Sequence, residues 1–144
     1  MKRSLKTAGP FLLPDERIDH VCRVRTKPVT ADRAVRNTVA ATAGVAAAMA
    51  FGHGAMVLQV SRTYCMILTD RRLMLLPCDR HAQTLPELAY QVWRAQITAR
   101  RVSSFPSGRI VLESAPGVEL VTLVFPLGVR MDGTNFLEAL AAGG

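Results

Sequence analysis

Residues 63–77, TYCMILTDRRLMLLP, constrain the fold more than any other stretch of this chain. Two runs of β-formers, 63–69 and 73–76, flank the polar step Asp70-Arg71-Arg72, and Pro77 closes the second run. The pattern is that of a β-hairpin. Thr69 and Asp70 suit its turn, because short polar side chains hydrogen-bond nearby backbone amides. Arg71 and Arg72 then fall on opposite sides of the strand. One is expected to pair with a carboxylate and the other to meet solvent, since an Arg fork suits structural carboxylate pairs.

The flanking sequence is also β-rich. From Arg17 onward, Ile18, His20, Cys22 and Val24 alternate with Asp19, Val21, Arg23 and Arg25, which predicts a strand ending before Pro28. Residues 88–102 hold one or two short strands, with Tyr90, Val92, Ile97 and Val102 as core candidates. Ser107-Gly108 and Pro116-Gly117 turn the chain into strands over 109–114 and 118–125. Asp132 or Thr134 is the expected cap of a terminal helix over 132–142, with Phe136, Leu137 and Leu140 on one side. Pro10 and Pro14 predict an extended lead-in over 1–14. A chain of 144 residues, 49% hydrophobic, can bury one core. The expected fold is therefore a single, mainly β domain over 1–144 of the α+β type. Its sheet is curled and antiparallel, or a partly open barrel, with the terminal helix capping one end.

One segment stands apart. Over 30–61 Thr30 is placed as an N-cap, and a helix is expected from Ala31 to about Phe51, ended by Gly52-His53-Gly54. Residues 38–60 contain no Asp, Glu, Lys or Arg. As one helix they would extend about 34 Å, enough for a bilayer core of roughly 30 Å. Their Ala, Gly and Thr content, with His53 and Gln59, opposes insertion as a lone span. Ala40, Gly44, Ala48 and Gly52 recur every fourth residue and would let two helix backbones approach closely, flanked by Val39, Val45 and Met49. Three destinations suit this segment: an oligomer interface, a bilayer, or the chain's own sheet. A helix apolar on nearly every side is too apolar for a monomer surface, which favours the oligomer.

The chain offers little chemistry. His20, His53 and His81 lie about thirty residues apart, and no motif for a catalytic metal, a nucleophile elbow or a phosphate loop is present. Cys78 and His81 fall short of the four ligands of a structural zinc. No catalytic, metal or cofactor-binding residue is assigned, and the chain is not expected to be an enzyme. Cys22, Cys65 and Cys78 are read as buried thiols of a reducing compartment. With only a three-residue apolar run near the start, 11–13, the expected location is the cytoplasm or the cytoplasmic face of a membrane. The net charge of +7, with 15 Arg against 3 Lys, favours anionic surfaces. Arg33, Arg36, Arg62 and Arg71 are the candidates for contact with anionic lipid or another anion. Nucleic acid ranks last, because Trp93, Tyr64 and Tyr90 make a poor stacking platform.

The run Tyr64 to Leu76, with Thr69-Asp70-Arg71-Arg72-Leu73 at its centre, resembles the "apolar strand, T-[DN]-R-R-L, apolar strand" signature of bacterial PH-like domains. Leu13-Pro14-Asp15-Glu16-Arg17-Ile18 resembles that family's L-P-G-E-R-V opening, with Asp15 in place of glycine. Gly117-Val118-Glu119-Leu120 and the helix near 132–140 resemble its tail. The resemblance implies a seven-stranded bent sheet capped by the terminal helix, serving as a binding scaffold without catalysis. It covers most of the chain except 30–61, which stands where the loop joining the first two strands belongs. No lipid-binding residue carries over. The expected function is a non-catalytic scaffold or interaction module that self-assembles through the inserted helix. The alternative is a membrane-associated adaptor whose inserted helix enters or lies on the bilayer. The expected partners are a second copy of the chain, an anionic membrane surface or an acidic protein.

Overall fold

The two faces of the hairpin at 63–77 have different partners, and together they organise the fold. A computed structural model describes residues 2–27, 62–103, 107–115 and 118–143. Its strands are β1 (Ile18–Lys27), β2 (Thr63–Thr69), β3 (Arg72–Pro77), β4 (Tyr90–Trp93), β5 (Thr98–Ser103), β6 (Gly108–Ala115) and β7 (Val118–Phe125). They form one antiparallel sheet in the order β4-β3-β2-β1-β7-β6-β5. The ten-residue β1 is the corner. It pairs with β2 from Ile18 to Arg25, but with β7 only over Arg25, Thr26 and Lys27. The sheet therefore folds back on itself without closing, as the resemblance implied.

The core lies inside this bend. Cys22, Val24, Tyr64, Met66, Leu68, Leu73, Leu75 and Tyr90 meet Ile110, Leu112, Val121, Leu123 and Phe125 there. Helix α2 (Arg130–Ala142) covers one opening and buries Phe136 completely, with Leu137 and Leu140 packed against the same cluster. It begins two residues before the expected 132–142 span and has no side-chain cap, so neither Asp132 nor Thr134 serves as one. Gly133 lies against the Phe125 ring, 3.1 Å from where its Cβ would sit, and this close approach suits a residue without a side chain.

The outer sides of β2 and β3 are buried too. Cys65, Ile67, Met74, Leu76 and Cys78 form a second cluster with Ala8, Phe11, Leu12, Ile18, Val21 and Leu88. This explains the unbroken apolar runs of the hairpin. A strand covered on both faces cannot alternate. The cover comes from the lead-in, which is not extended as expected: Lys2–Ala8 forms helix α1 and Gly9–Phe11 a 3-10 turn. Residues 2–8 are mostly good helix formers, and Pro10 limits the helix only beyond Ala8. Val102 also departs from expectation. It is 53% exposed on the edge strand β5 rather than in the core.

Between Leu13 and Arg17 the lead-in docks on the hairpin turn. The Glu16 carboxylate accepts hydrogen bonds from Arg72 Nε (2.9 Å) and Nη2 (3.0 Å), from the Thr69 hydroxyl (2.7 Å) and from the Leu13 N–H (2.8 Å). Arg72 also donates to Gln91 and to the Phe11 carbonyl. The Thr69 hydroxyl accepts from the N–H groups of Arg71 and Arg72. Arg17 N–H donates to the Asp70 carboxylate, and Asp70 N–H to the Arg17 carbonyl. Arg72 is thus the buried, paired arginine and Arg71 the exposed one.

Asp15 sits in this turn at φ 63, the left-handed region that favours glycine. Replacing it with glycine should hold or raise stability, whereas valine should lower it by about 1–2 kcal/mol. Urea denaturation of both variants checks this. Equal midpoints for glycine and valine would show that backbone conformation at residue 15 is irrelevant.

Candidate interaction surfaces

Strand β1 presents a cationic row on its outer face because of its own period. Cys22, Val24 and Thr26 are buried, so Arg23, Arg25 and Lys27 point outward at intervals of roughly 7 Å. At one end of this row Arg23 enters a cleft with Lys2, Arg3 and Lys6 of α1 and with His81. At the other end β1 stops at Lys27, and the chain returns at Arg62 and Thr63. The two ends are held together there: Thr26 N–H donates to the Arg62 carbonyl (3.0 Å), and Arg25 pairs with Thr63.

The cleft has a built floor and wall. Ser4 and Thr84 share a hydroxyl hydrogen bond of 2.9 Å that ties α1 to the loop after β3. In that loop the Asp79 carboxylate accepts from the N–H groups of His81 (2.8 Å) and Gln83 (2.9 Å), and Ala82 takes a left-handed φ of 59. Among the described residues no Asp or Glu lines the cleft. Beneath it burial pushes the Cys65 and Cys78 thiols up, and Cys22, buried in the inner core, is shifted the same way. Neutral thiols are poor nucleophiles. Cys78 is buried and His81 exposed, and no group of three or more potential metal ligands occurs among the described residues.

Of the residues singled out from sequence, Arg62 and Arg71 are both exposed but lie at opposite ends of β2, roughly 25 Å apart along the strand. They do not form one site. Arg33 and Arg36 lie outside the described residues. So do the self-association candidates Val39, Ala40, Gly44, Val45, Ala48, Met49 and Gly52. An extended lead-in would scatter the cations of the cleft, which is therefore not visible in the sequence. Once 2–8 is a helix, Lys2 and Lys6 are four apart and share a face.

No helix among the described residues is long and apolar enough to cross a membrane. No protein-family model matches the sequence, and neither does any curated protein. Among solved structures the chain is similar to the crystal structure of the N-terminally truncated linker-DH/PH domains of p115-RhoGEF, with a TM-score of 0.51 and 10% identity. The match covers 96% of this chain and 32% of that one, so the chain corresponds to about a third of its length. At this identity the likeness concerns the fold, which is PH-like.

Proposed function

We propose that this chain is a non-catalytic, PH-like interaction module that self-assembles through the segment inserted between β1 and β2. The observation that carries the reading is where the insertion leaves the sheet. The seven strands and the capping helix are complete without 28–61, and the ends of β1 and β2 are bonded to each other where the segment departs. A segment with no charge over 38–60 nevertheless needs apolar surroundings, and a second copy supplies an identical small-residue face.

Light scattering without detergent should give a monodisperse multimer. Deleting 31–54 and bridging the ends with a short Gly/Ser linker should give a monomer whose unfolding midpoint stays close to that of the full chain. A deletion variant that kept the multimer mass would sink assembly through this segment.

A second reading is favoured by the Arg23, Arg25 and Lys27 row, which leads to the root of the insertion. In it the segment enters or lies on a bilayer while those cations face anionic headgroups. Recovery of the full chain only in the membrane fraction, with the deletion variant in the supernatant, would select this reading.

A further inference from the structure

We propose that His20 is a proton-operated latch on helix α2. Protonating its ring favours release of the first turns of the helix from the open end of the bent sheet. This device belongs to the β framework and does not depend on self-assembly through the insertion. His20 lies on the inner face of β1, in step with the buried Cys22 and Val24, and its partner on β2 is Leu68. Its ring meets Phe136 of α2, with centroids 6.4 Å apart and planes inclined by 43°. Phe136 in turn stacks on Phe125 at 6.5 Å. The histidine is therefore part of the surface on which α2 sits.

One nitrogen of that ring, Nε2, is buried and has no hydrogen-bond partner among the described residues. A neutral ring tolerates this, because one of its nitrogens is only an acceptor. In the charged ring both nitrogens carry an N–H, and a buried donor without an acceptor is costly. The Asp132 carboxylate and backbone, in the first turn of α2, favour the charged ring. Burial outweighs them and holds His20 below the ordinary histidine value of 6.5. On β1 the Asp19 carboxylate is taken by Arg17 and Arg94, and burial pushes the Cys22 thiol up, so it stays neutral. On β2 Leu68 carries no charge, and the Thr69 hydroxyl donates to Glu16. Arg94 is a further cation, held by Asp19, the Thr69 carbonyl and the last turn of α2.

Of the two elements that meet at His20, the helix is the one free to move. β1 is fixed here by its ladder to β2, whereas α2 has no side-chain cap and its bonds to Arg94 lie at its far end. Once the first turns lift away, water supplies partners to both ring nitrogens. The docked helix is fully favoured above pH 6.5 and loses that advantage as pH falls below it, through the lowered value of His20. Glu16 and Asp19 act from their ordinary values of 4.5 and 3.8 downward. Among the shifted groups of the described residues, the interval from 6.5 to 4.5 therefore belongs to His20.

Deuterium exchange of backbone amides in the full chain at pH 7 and pH 5, corrected for the intrinsic pH dependence of exchange, reads the release. Protection of the first half of α2 should fall by roughly three- to tenfold at pH 5, with β2 and β3 unchanged. His20→Gln, which stays neutral, should abolish the difference, and His81→Gln, at an exposed position, should keep it. Asp132→Asn should enlarge the difference, since it withdraws the attraction that opposes burial. In the unaltered chain, the NMR titration of the His20 ring should coincide with the loss of protection. The proposal is overturned if α2 protection holds or rises at pH 5, as it would were the charged ring drawn into an ion pair with Asp132. It is overturned equally if β2 and β3 lose as much protection as α2, or if the ring titrates without any change in α2. Retention of the pH difference in His20→Gln, or its loss in Asp132→Asn, would overturn it as well.

Discussion

Replacing Arg72 with alanine should lower the free energy of unfolding by roughly 3–5 kcal/mol, the range for breaking one side of a buried ion pair. The Arg72 side chain is 8% exposed and that of Glu16 0%. Removing the guanidinium leaves the Glu16 carboxylate with the Thr69 hydroxyl and the Leu13 amide, and leaves the Phe11 carbonyl and Gln91 amide without this donor. Arg72→Lys should recover only part of the loss, because one ammonium cannot reach Glu16, Gln91 and Phe11 together. Removing both Arg72 and Glu16 should cost less than the sum of the single variants. An exposed pair would give at most about 1 kcal/mol, so a loss that small would mean the pair is solvated.

The same carboxylate sets an acid limit. Burial alone would raise the Glu16 carboxyl, but hydrogen bonds from Arg72, the Leu13 amide and Thr69, with the Arg72 charge, outweigh it and hold it at about 2 instead of 4.5. A depressed carboxyl stabilises the fold above its unfolded value, and that contribution is lost as pH falls from 4.5 toward 2. The loss amounts to about 3 kcal/mol. Asp19, lowered chiefly by its hydrogen bond from Arg94, adds loss of the same sign. His20 also loses stability on acidification, below the ordinary histidine range, because burial lowers it against the opposing pull of Asp132. In Arg72→Ala the acid-side slope between pH 4.5 and 2 should flatten, since Glu16 loses the partner that depresses it. Unfolding midpoints measured across that range for both proteins check this.

The strands were legible because each obeys a local rule. β1 alternates between core and solvent, and β6 and β7 follow turn residues. The two short motifs at 13–18 and 69–73 were also visible, and so was the expectation that one arginine is paired. Their mutual contact was not, because Glu16 and Arg72 are 56 residues apart and nothing local links them. The helix at Lys2–Ala8 is not legible in the sequence for a related reason. It is held where Ala8 enters the outer cluster and Ser4 bonds Thr84, and seven residues alone carry too little periodicity to reveal that. The cleft is hidden with it, since its cations share a face only when that helix exists. The absence of a cap on α2 points the same way: tertiary burial of Phe136 holds the helix without one.

What else holds α2 is Arg94, and its removal should release the helix end. Arg94 is 6% exposed and follows β4. Its Nη1 donates to the Asp19 carboxylate and to the Thr69 carbonyl, each at 2.7 Å. Its Nη2 donates to the Ala139 and Leu140 carbonyls, which belong to the last turn of α2 and have no partner within the helix. A cation at a helix C-terminus also meets the negative end of its dipole. One guanidinium therefore joins β1, the hairpin turn and the capping helix. Gly143 makes room for it, because a Cβ there would lie 1.9 Å from Nη2. Arg94→Ala should cost about 3 kcal/mol by leaving a carboxylate and buried carbonyls short of donors. It should also speed amide hydrogen exchange in α2 more than in β2 and β3, which remain covered on both faces. Gly143→Ala should move in the same direction by about 1 kcal/mol, through displacement of the guanidinium rather than backbone strain, since φ at 143 is −93. If Arg94→Ala left α2 exchange unchanged while lowering global stability, Arg94 would be supporting the sheet alone. The helix would then be retained by Phe136 and its neighbours.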